Sequence, residues 1–498
     1  MFTDETVASV SIGSLWRRSH QGVLQARSCQ TEAVLRDEAG VQTSSTASSC
    51  TQTEPEPVCL QNHDEPEPTG LVDFLLRTED LMIRELEKNT KSHAFDGFRT
   101  NQHDQNQLVS CLHRLQHPDA KDSRLHVSSV SWSHTGSVIA CSYGRTDGGD
   151  WSTQRSWLCL WNLDRRNLNP TQADLVLDVP AAVTSLSCHP TRPALIAGGL
   201  FSGEVVVWDT SRTQDPVLFQ TGTSADSHRD PVYQVSWVPL QKKGEFGVLS
   251  SGSGGRVLVW VVDSDQNRLV LNAAYTLRNQ QLPHSAGSKV RGSGTVGVSA
   301  LALSPWDPDT FLVGSEGGLL LRCSFSSQVL AAGDPEDRSV APRAPAVFSF
   351  RTTSGPVHSI HCSPFHRNLF VSGGTDGLAR IHSLLQADPL LSVQVSDSYV
   401  FQVAWSPWRP LVLAAATGRG EVQIFDLARR SLRPAATMAT GGPDSTATCL
   451  AFNHQNPRLV AAGNSDGSVS IWQLSSDLTD QNPTEISQLE QLANQAAE

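Results

Sequence analysis

The side chains able to do acid–base, nucleophilic or metal chemistry in this 498-residue chain include sixteen histidines and ten cysteines. Their spacing matches no reaction centre. The cysteines never stand as a Cys-x-x-Cys pair, so neither a zinc knuckle nor a disulfide framework is expected. A phosphate-binding loop and a His-Glu-x-x-His helix are both missing. His134, His189 and His454 recur at equivalent strand ends, which marks repeat architecture rather than a ligand set. The expectation is a non-catalytic chain with no metal and no cofactor.

Recognition chemistry is more promising. A short pattern occurs three times near the N-terminus, as Cys29-Gln30-Thr31, Val41-Gln42-Thr43 and Thr51-Gln52-Thr53, with the glutamines 12 and 10 residues apart. An extended segment can add itself as a strand to a partner's open sheet edge, the ladder giving affinity and alternate side chains giving specificity. The spacing leaves room for an occupied strand and a short linker at each site. These motifs lie in an arm, 1–68, where the tract 43–68 is rich in Ser, Thr, Pro and Glu and has no sustained apolar period. Such a segment is expected to be disordered when free.

The arm leads to an amphipathic segment at 69–91. Leu71, Leu75, Leu76, Met82, Ile83 and Leu86 cluster on one side at helical spacing, with Arg77, Asp80, Arg84, Glu87 and Lys88 elsewhere. A helix this short is marginal alone in water, so it needs a surface to cover it, either a partner's or the chain's own.

From residue 125 to 474 the sequence repeats: an apolar strand, a His-Pro or Ser-Pro turn, a second apolar strand, a Gly-Gly or Asp-Gly turn, then a strand ending in a large side chain. Aligned by eye, the seven closing positions are Trp161, Trp208, Trp260, Leu321, Ile381, Phe425 and Trp472, spaced 47, 52, 61, 60, 44 and 47 residues apart. An all-β, seven-bladed propeller of four-stranded blades follows, because a closed ring leaves no sheet edge unmanaged. The stretch 92–124 is expected to link helix and ring and, within 107–115, to lend the strand that closes the last blade. The tail 475–498, with Ile486, Leu489 and Leu492 at helical spacing, is expected to dock on the rim.

Charge narrows the partners. The formal charge is −12, which opposes a phosphate-backbone binder, and apolar runs are too short to span a bilayer, so neither nucleic acid nor membrane insertion is expected and the protein is read as soluble. No secretory signal is visible at the N-terminus.

These residues carry a resemblance. Trp161, Trp208, Trp260 and Trp472 resemble the tryptophan of WD repeats; Trp208-Asp209 keeps both letters, and Phe425-Asp426 is a near match. Asp376 and Asp466 stand where that family's aspartate hydrogen-bonds across a blade to a histidine. The Gln-Thr triplets resemble the Thr-Gln-Thr motif bound by a small dimeric dynein light chain. The whole layout resembles the dynein intermediate chain family, and within it the shorter chains of cytoplasmic dynein 2, the motor of retrograde intraflagellar transport. A long N-terminal coiled coil, expected for the cytoplasmic dynein 1 chains, is absent from residues 1–27. The resemblance implies as partners the dynein 2 heavy chain, a second and different intermediate chain, and dimeric light chains of the Thr-Gln-Thr-binding, roadblock and Tctex types. It implies a place in the cytoplasm and cilium, at the ciliary basal body, centrosome and cytoskeleton. The alternative is a WD-repeat scaffold of another cytosolic or nuclear complex, such as a ubiquitin ligase.

Overall fold

The computed structural model describes residues 70–91 and 108–494, apart from 146–155, 213, 241–243, 264–267, 284–293, 333–338, 430–431 and 443–444. The chain divides into two units, 1–99 and 100–498.

In the first unit, helix α1 spans Leu71–Lys91. It starts after Gly70, whose φ of 113° only glycine adopts readily, and its first ladder bond runs from the Phe74 N–H to the Gly70 carbonyl at 3.0 Å. Asp73 sits in the first turn, where the positive end of the helix dipole favours it. Lys88 and Glu85 pair at 2.6 Å on the polar side.

The second unit is a ring of seven four-stranded antiparallel sheets. The innermost strands are His126–Trp132, Val183–Cys188, Val232–Pro239, Val298–Leu303, Val357–Cys362, Val400–Trp405 and Ala447–Phe452. The recurring turn after five of them has a physical cause. Ser304 Oγ accepts the N–H groups of Trp306 and Asp307, Ser363 Oγ those of Phe365 and His366, and Ser406 Oγ those of Trp408 and Arg409. Asn453 Oδ1 and His189 Nδ1 do the same in their blades. The Ser-Pro and His-Pro signatures are thus side-chain turn caps, with proline placed where no ladder bond is lost. The opposite turns close on glycines in the left-handed region; at Gly377, φ 74°, a Cβ would also collide with the Ser396 carbonyl.

Ladder register revises the alignment in two blades. Trp260 lies opposite Val248, two residues before Ser250, which itself faces Val235 on the innermost strand. The same relation holds for Trp161, Trp208, Phe425 and Trp472, but in blade four it selects Cys323, opposite Phe311, and in blade five His382, opposite Phe370. Leu321 and Ile381 are therefore not the equivalents of the tryptophans. All of these side chains are buried, so apolarity alone pointed two residues too early in blade four and one too early in blade five.

Ring closure comes from the N-terminal side. Val109–Gln116 forms the outermost strand of blade seven, antiparallel to Ser468–Leu474, with Cys111 opposite Trp472. Arg114 reaches Asp466 at 2.9 Å, and the Gln116 amide donates to the Asp466 carbonyl at 3.1 Å. A short helix, α2 (Pro118–Asp122), then leads into blade one. At the other terminus α3 (Ser476–Thr479) and α4 (Glu485–Asn494) fold back on the ring. Leu489 and Ala493 bury against Trp405 and Phe425 of blade six, while Ile486 remains 42% exposed.

Candidate interaction sites

The three Gln-Thr motifs, residues Cys29 to Thr53, lie outside the described residues. In α1 the Leu71 backbone is helical. Leu75, Leu76, Met82, Ile83 and Leu86 are all exposed, between 49% and 65%, and Phe74 and Leu81 add to the apolar surface. Among the described residues these side chains form an exposed apolar stripe along α1.

The blade residues are structural. In blade three, Ser250 Oγ lies 2.8 Å from His228 Nε2 and accepts the Trp260 indole N–H at 2.8 Å, forming a buried three-residue brace. Blade five has a two-residue counterpart, with His382 in the tryptophan position and its Nε2 2.9 Å from Ser372 Oγ. Blade two uses space instead: Gly198 lets the Trp208 ring lie directly on its backbone, where a Cβ would collide. In blade one Cys141 occupies the serine position, and the buried Trp161 indole N–H has no acceptor among the described residues. Asp209 accepts from the Ser211 N–H and hydroxyl in a turn.

The aspartates expected to bond histidines have other partners. Asp376 pairs with Arg380 at 2.6 Å and Asp466 binds Arg114 and Ser468. For Asp376 the reason is composition: Thr353 stands four residues before Val357, where blade three has His228 four before Val232.

Two glycine patterns have the letters of catalytic motifs and the wrong context. Gly463-Asn464-Ser465-Asp466-Gly467 spells a nucleophile elbow, but it joins two strands, and Ser465 Oγ accepts the Thr446 N–H. The glycines at 292, 294 and 297 have dinucleotide-fingerprint spacing but lead into the strand Val298–Leu303 and not into a helix. Burial raises three of the thiols far above neutrality, Cys188 to about 11 and Cys362 and Cys449 to about 12, so these three stay protonated at physiological pH. Among the described residues no group of three or more His, Cys, Asp or Glu is arranged to hold a metal, and no helix is long and apolar enough to cross a membrane.

A cavity of about 470 Å³ runs into the central channel, walled by the innermost strands. Much of its polarity is spent on the ring itself. Ser128 and Thr184 hydroxyls donate to the Val183 and Val232 carbonyls of the next blade, Ser299 to Val357 at 2.6 Å, and Thr448 to Val127 at 2.6 Å. Ser129, Ser185 and Gln402 accept the N–H groups of Leu186, Val235 and Leu450. The wedge-shaped gaps between blades leave inner backbone groups unpaired, and these side chains satisfy them. His361 Nδ1 accepts the Trp405 N–H at 3.2 Å, and burial first, then nearby His454, depresses its pKa to about 4. Sequence reasoning did not single out Tyr233, His358 and Phe401 at the mouth of this channel. The signal was present in the seven aligned inner strands, where equivalent positions elsewhere carry Ser or Thr.

The ring of seven four-stranded blades around a channel defines a seven-bladed β-propeller. The family described as "WD domain, G-beta repeat" matches residues 436–473, which span the outer strand of blade six and three strands of blade seven. That offset is why the last blade needs a strand from the N-terminal side. The chain is 48% identical over 98% of its length to cytoplasmic dynein 2 intermediate chain 2 of Mus musculus, covering 92% of that protein, and 47% identical over 99% to the Homo sapiens protein of the same name, again covering 92%. It is 25% identical over 66% of its length to the cytoplasmic dynein 1 intermediate chain of Drosophila melanogaster, covering 46% of it. The chain belongs to the cytoplasmic dynein 2 intermediate chain family.

Proposed function

We propose that the protein is a non-catalytic intermediate chain of the cytoplasmic dynein 2 complex, an assembly subunit that joins heavy chain and light chains. The observation that carries this reading is identity near one half along almost the whole chain, arm, α1 and propeller together. The propeller binds the heavy-chain tail. The arm lies beside that of a second, different intermediate chain, with Gln30, Gln42 and Gln52 seating light-chain dimers of the Thr-Gln-Thr-binding type and α1 seating a roadblock-type dimer; a Tctex-type dimer completes the set. The exposed stripe of α1 supports the helix assignment. The protein works in the cytoplasm and cilium, at the basal body, centrosome and cytoskeleton, in retrograde intraflagellar transport and cilium assembly.

Native mass spectrometry of the full chain with the two purified light chains tests it. The wild type takes up both dimers, and a variant with Gln30, Gln42 and Gln52 changed to alanine keeps only the roadblock type. Binding of neither by the wild type sinks the reading in favour of a general propeller scaffold.

A further inference from the structure

Repeats arranged around one axis make each joint between innermost strands a standard for the others. At the other joints a side chain of one innermost strand bonds the backbone of the next. From blade one to two, Ser129 accepts the Leu186 N–H at 3.1 Å and Ser131 the Cys188 N–H at 3.0 Å; from two to three, Ser185 accepts the Val235 N–H at 3.0 Å. Ser299 donates to the Val357 carbonyl at 2.6 Å, Ser359 to that of Val403 at 3.2 Å, and Thr448 to that of Val127 at 2.6 Å. Between blades six and seven, Gln402 accepts the Leu450 N–H at 2.7 Å.

The joint between blades three and four differs. Gln234 follows the bulge of its strand by one residue, as Gln402 does in blade six, and Ser236 follows it by three, as Ser131 does in blade one. The same side chains stand at the same positions, yet among the described residues neither bonds blade four. Neighbouring polar groups are spent elsewhere: the Tyr233 hydroxyl on Ser253 of its own blade, the Trp237 indole N–H on the Ser187 carbonyl of blade two at 2.9 Å, and Ser299 on blade five. With residue type and position held constant, what differs is geometry: the inner ends of these two blades stand beyond hydrogen-bond reach of each other. What crosses the joint there is apolar, with Val238, Leu249 and Val257 sharing a buried cluster with Leu301 and Val313. Such contact is non-directional and, unlike a hydrogen bond, sets no single spacing.

The outer side of the same joint is strapped. The chain that follows Leu320–Ser324 in blade four reaches back to the outermost strand of blade three, Arg268–Thr276. The Tyr275 hydroxyl donates to the Phe325 carbonyl at 2.7 Å, the Thr276 N–H to the Arg343 carbonyl at 2.9 Å, and the Arg343 N–H to the Ala274 carbonyl at 3.0 Å. The Gln281 amide clamps Leu330 and Ala332, donating to one carbonyl and accepting the other N–H, each at 2.9 Å. Ser339 carries the strap on to Asp226, ahead of blade three, through its N–H at 2.9 Å and its hydroxyl at 2.7 Å.

We propose that the joint between blades three and four is a gate in the ring, opening on the channel side, where no side chain bolts the two innermost strands, and turning about the strap that holds its outer side. Opening there widens the channel while the closing strand Val109–Gln116 stays paired. The proposal goes beyond the assembly reading and rests on the propeller alone.

Native-state hydrogen exchange of the full chain in low urea, read by mass spectrometry with residue-level fragmentation, tests it. In the wild type, amides of Val232–Pro239 and Val298–Leu303 are expected to exchange about tenfold or more faster than those of the other innermost strands, with a shallower urea dependence. Equal rates and slopes in all seven innermost strands overturn the gate. A strap variant, Tyr275→Phe with Gln281→Ala, provides the second arm, its fold checked by far-ultraviolet circular dichroism. Exchange in Val232–Pro239 and Val298–Leu303 is expected to rise further while the other five innermost strands stay at their wild-type rates. Acceleration of all seven alike, or of none, means that the strap is not the hinge and overturns the proposal.

Discussion

Arg409 of blade six and Glu485 of α4 form an ion pair at 2.6 Å with side chains only 5% and 1% exposed. Asp426 lies 3.3 Å from the same guanidinium, which also donates to the Asp477 carbonyl. Burial opposes the charge on Arg409, but Glu485 and Asp426 outweigh it, so its pKa is raised. This cluster ties the polar C-terminal tail to a blade that precedes it in the ring. Removing one partner from such a buried pair leaves a charge inadequately compensated, which costs more than the pair contributes. Glu485→Gln is expected to lower stability by about 3 kcal/mol, read as the urea midpoint. Hydrogen exchange should locate the loosening in residues 485–494, and unchanged protection there would refute the lock.

Blade one lacks the serine that receives the tryptophan indole in blade three. Cys141→Ser places an acceptor beside the unsatisfied Trp161 N–H. The expected outcome is a gain of about 1 kcal/mol, measured by thermal and urea unfolding. A loss would mean that the hydroxyl cannot turn toward the indole.

Three histidines make the ring acid-sensitive. Burial is the leading cause that depresses His382 to about 3 and both His189 and His361 to about 4. Their folded-state values lie below the unfolded one, so the stability they confer is complete above pH ~6.5 and is lost as pH falls toward the folded values. Each contributes a slope of about 1.4 kcal/mol per pH unit inside that window. Urea midpoints should be flat from pH 8 to 7, in the range ~7–8 where these histidines are neutral in both states, and fall steeply below about 6. His361→Gln should flatten the fall by one proton's worth, and an unaltered slope would remove His361 from the account.

The strand Val109–Gln116 supplies the outer edge of blade seven. A chain beginning at residue 100 should melt like the full protein, whereas one beginning at 117 should unfold at markedly lower temperature and aggregate through the exposed Ser468–Leu474 edge. Equal melting of the two would show that the ring closes without this strand.

For the arm, several weak strand sites on one tether act at high effective concentration. Gln52→Ala alone should weaken light-chain uptake less than the triple glutamine change, measured by titration calorimetry on the full chain. Abolition by the single change would contradict that multivalent arrangement. Ile83→Glu, on the exposed stripe of α1, should remove the roadblock-type dimer and spare the other.

Local physics was legible in the sequence. Alternating apolar residues marked the strands, Ser-Pro and His-Pro marked the capped turns, and the seven units with the helix Leu71–Lys91 followed from periodicity, because each depends on residues a few positions apart. Relations across the chain were decided by tertiary structure. Cys323 and His382, rather than the apolar Leu321 and Ile381, occupy the tryptophan positions because ladder register, not hydrophobicity, sets equivalence. Asp466 finds Arg114, 352 residues away, only once the ring has closed. Arg409 acquires Glu485 only when the tail folds back. Tyr233, His358 and Phe401 are far apart in the sequence, and only closure of seven sheets around one axis brings their rings to a single opening.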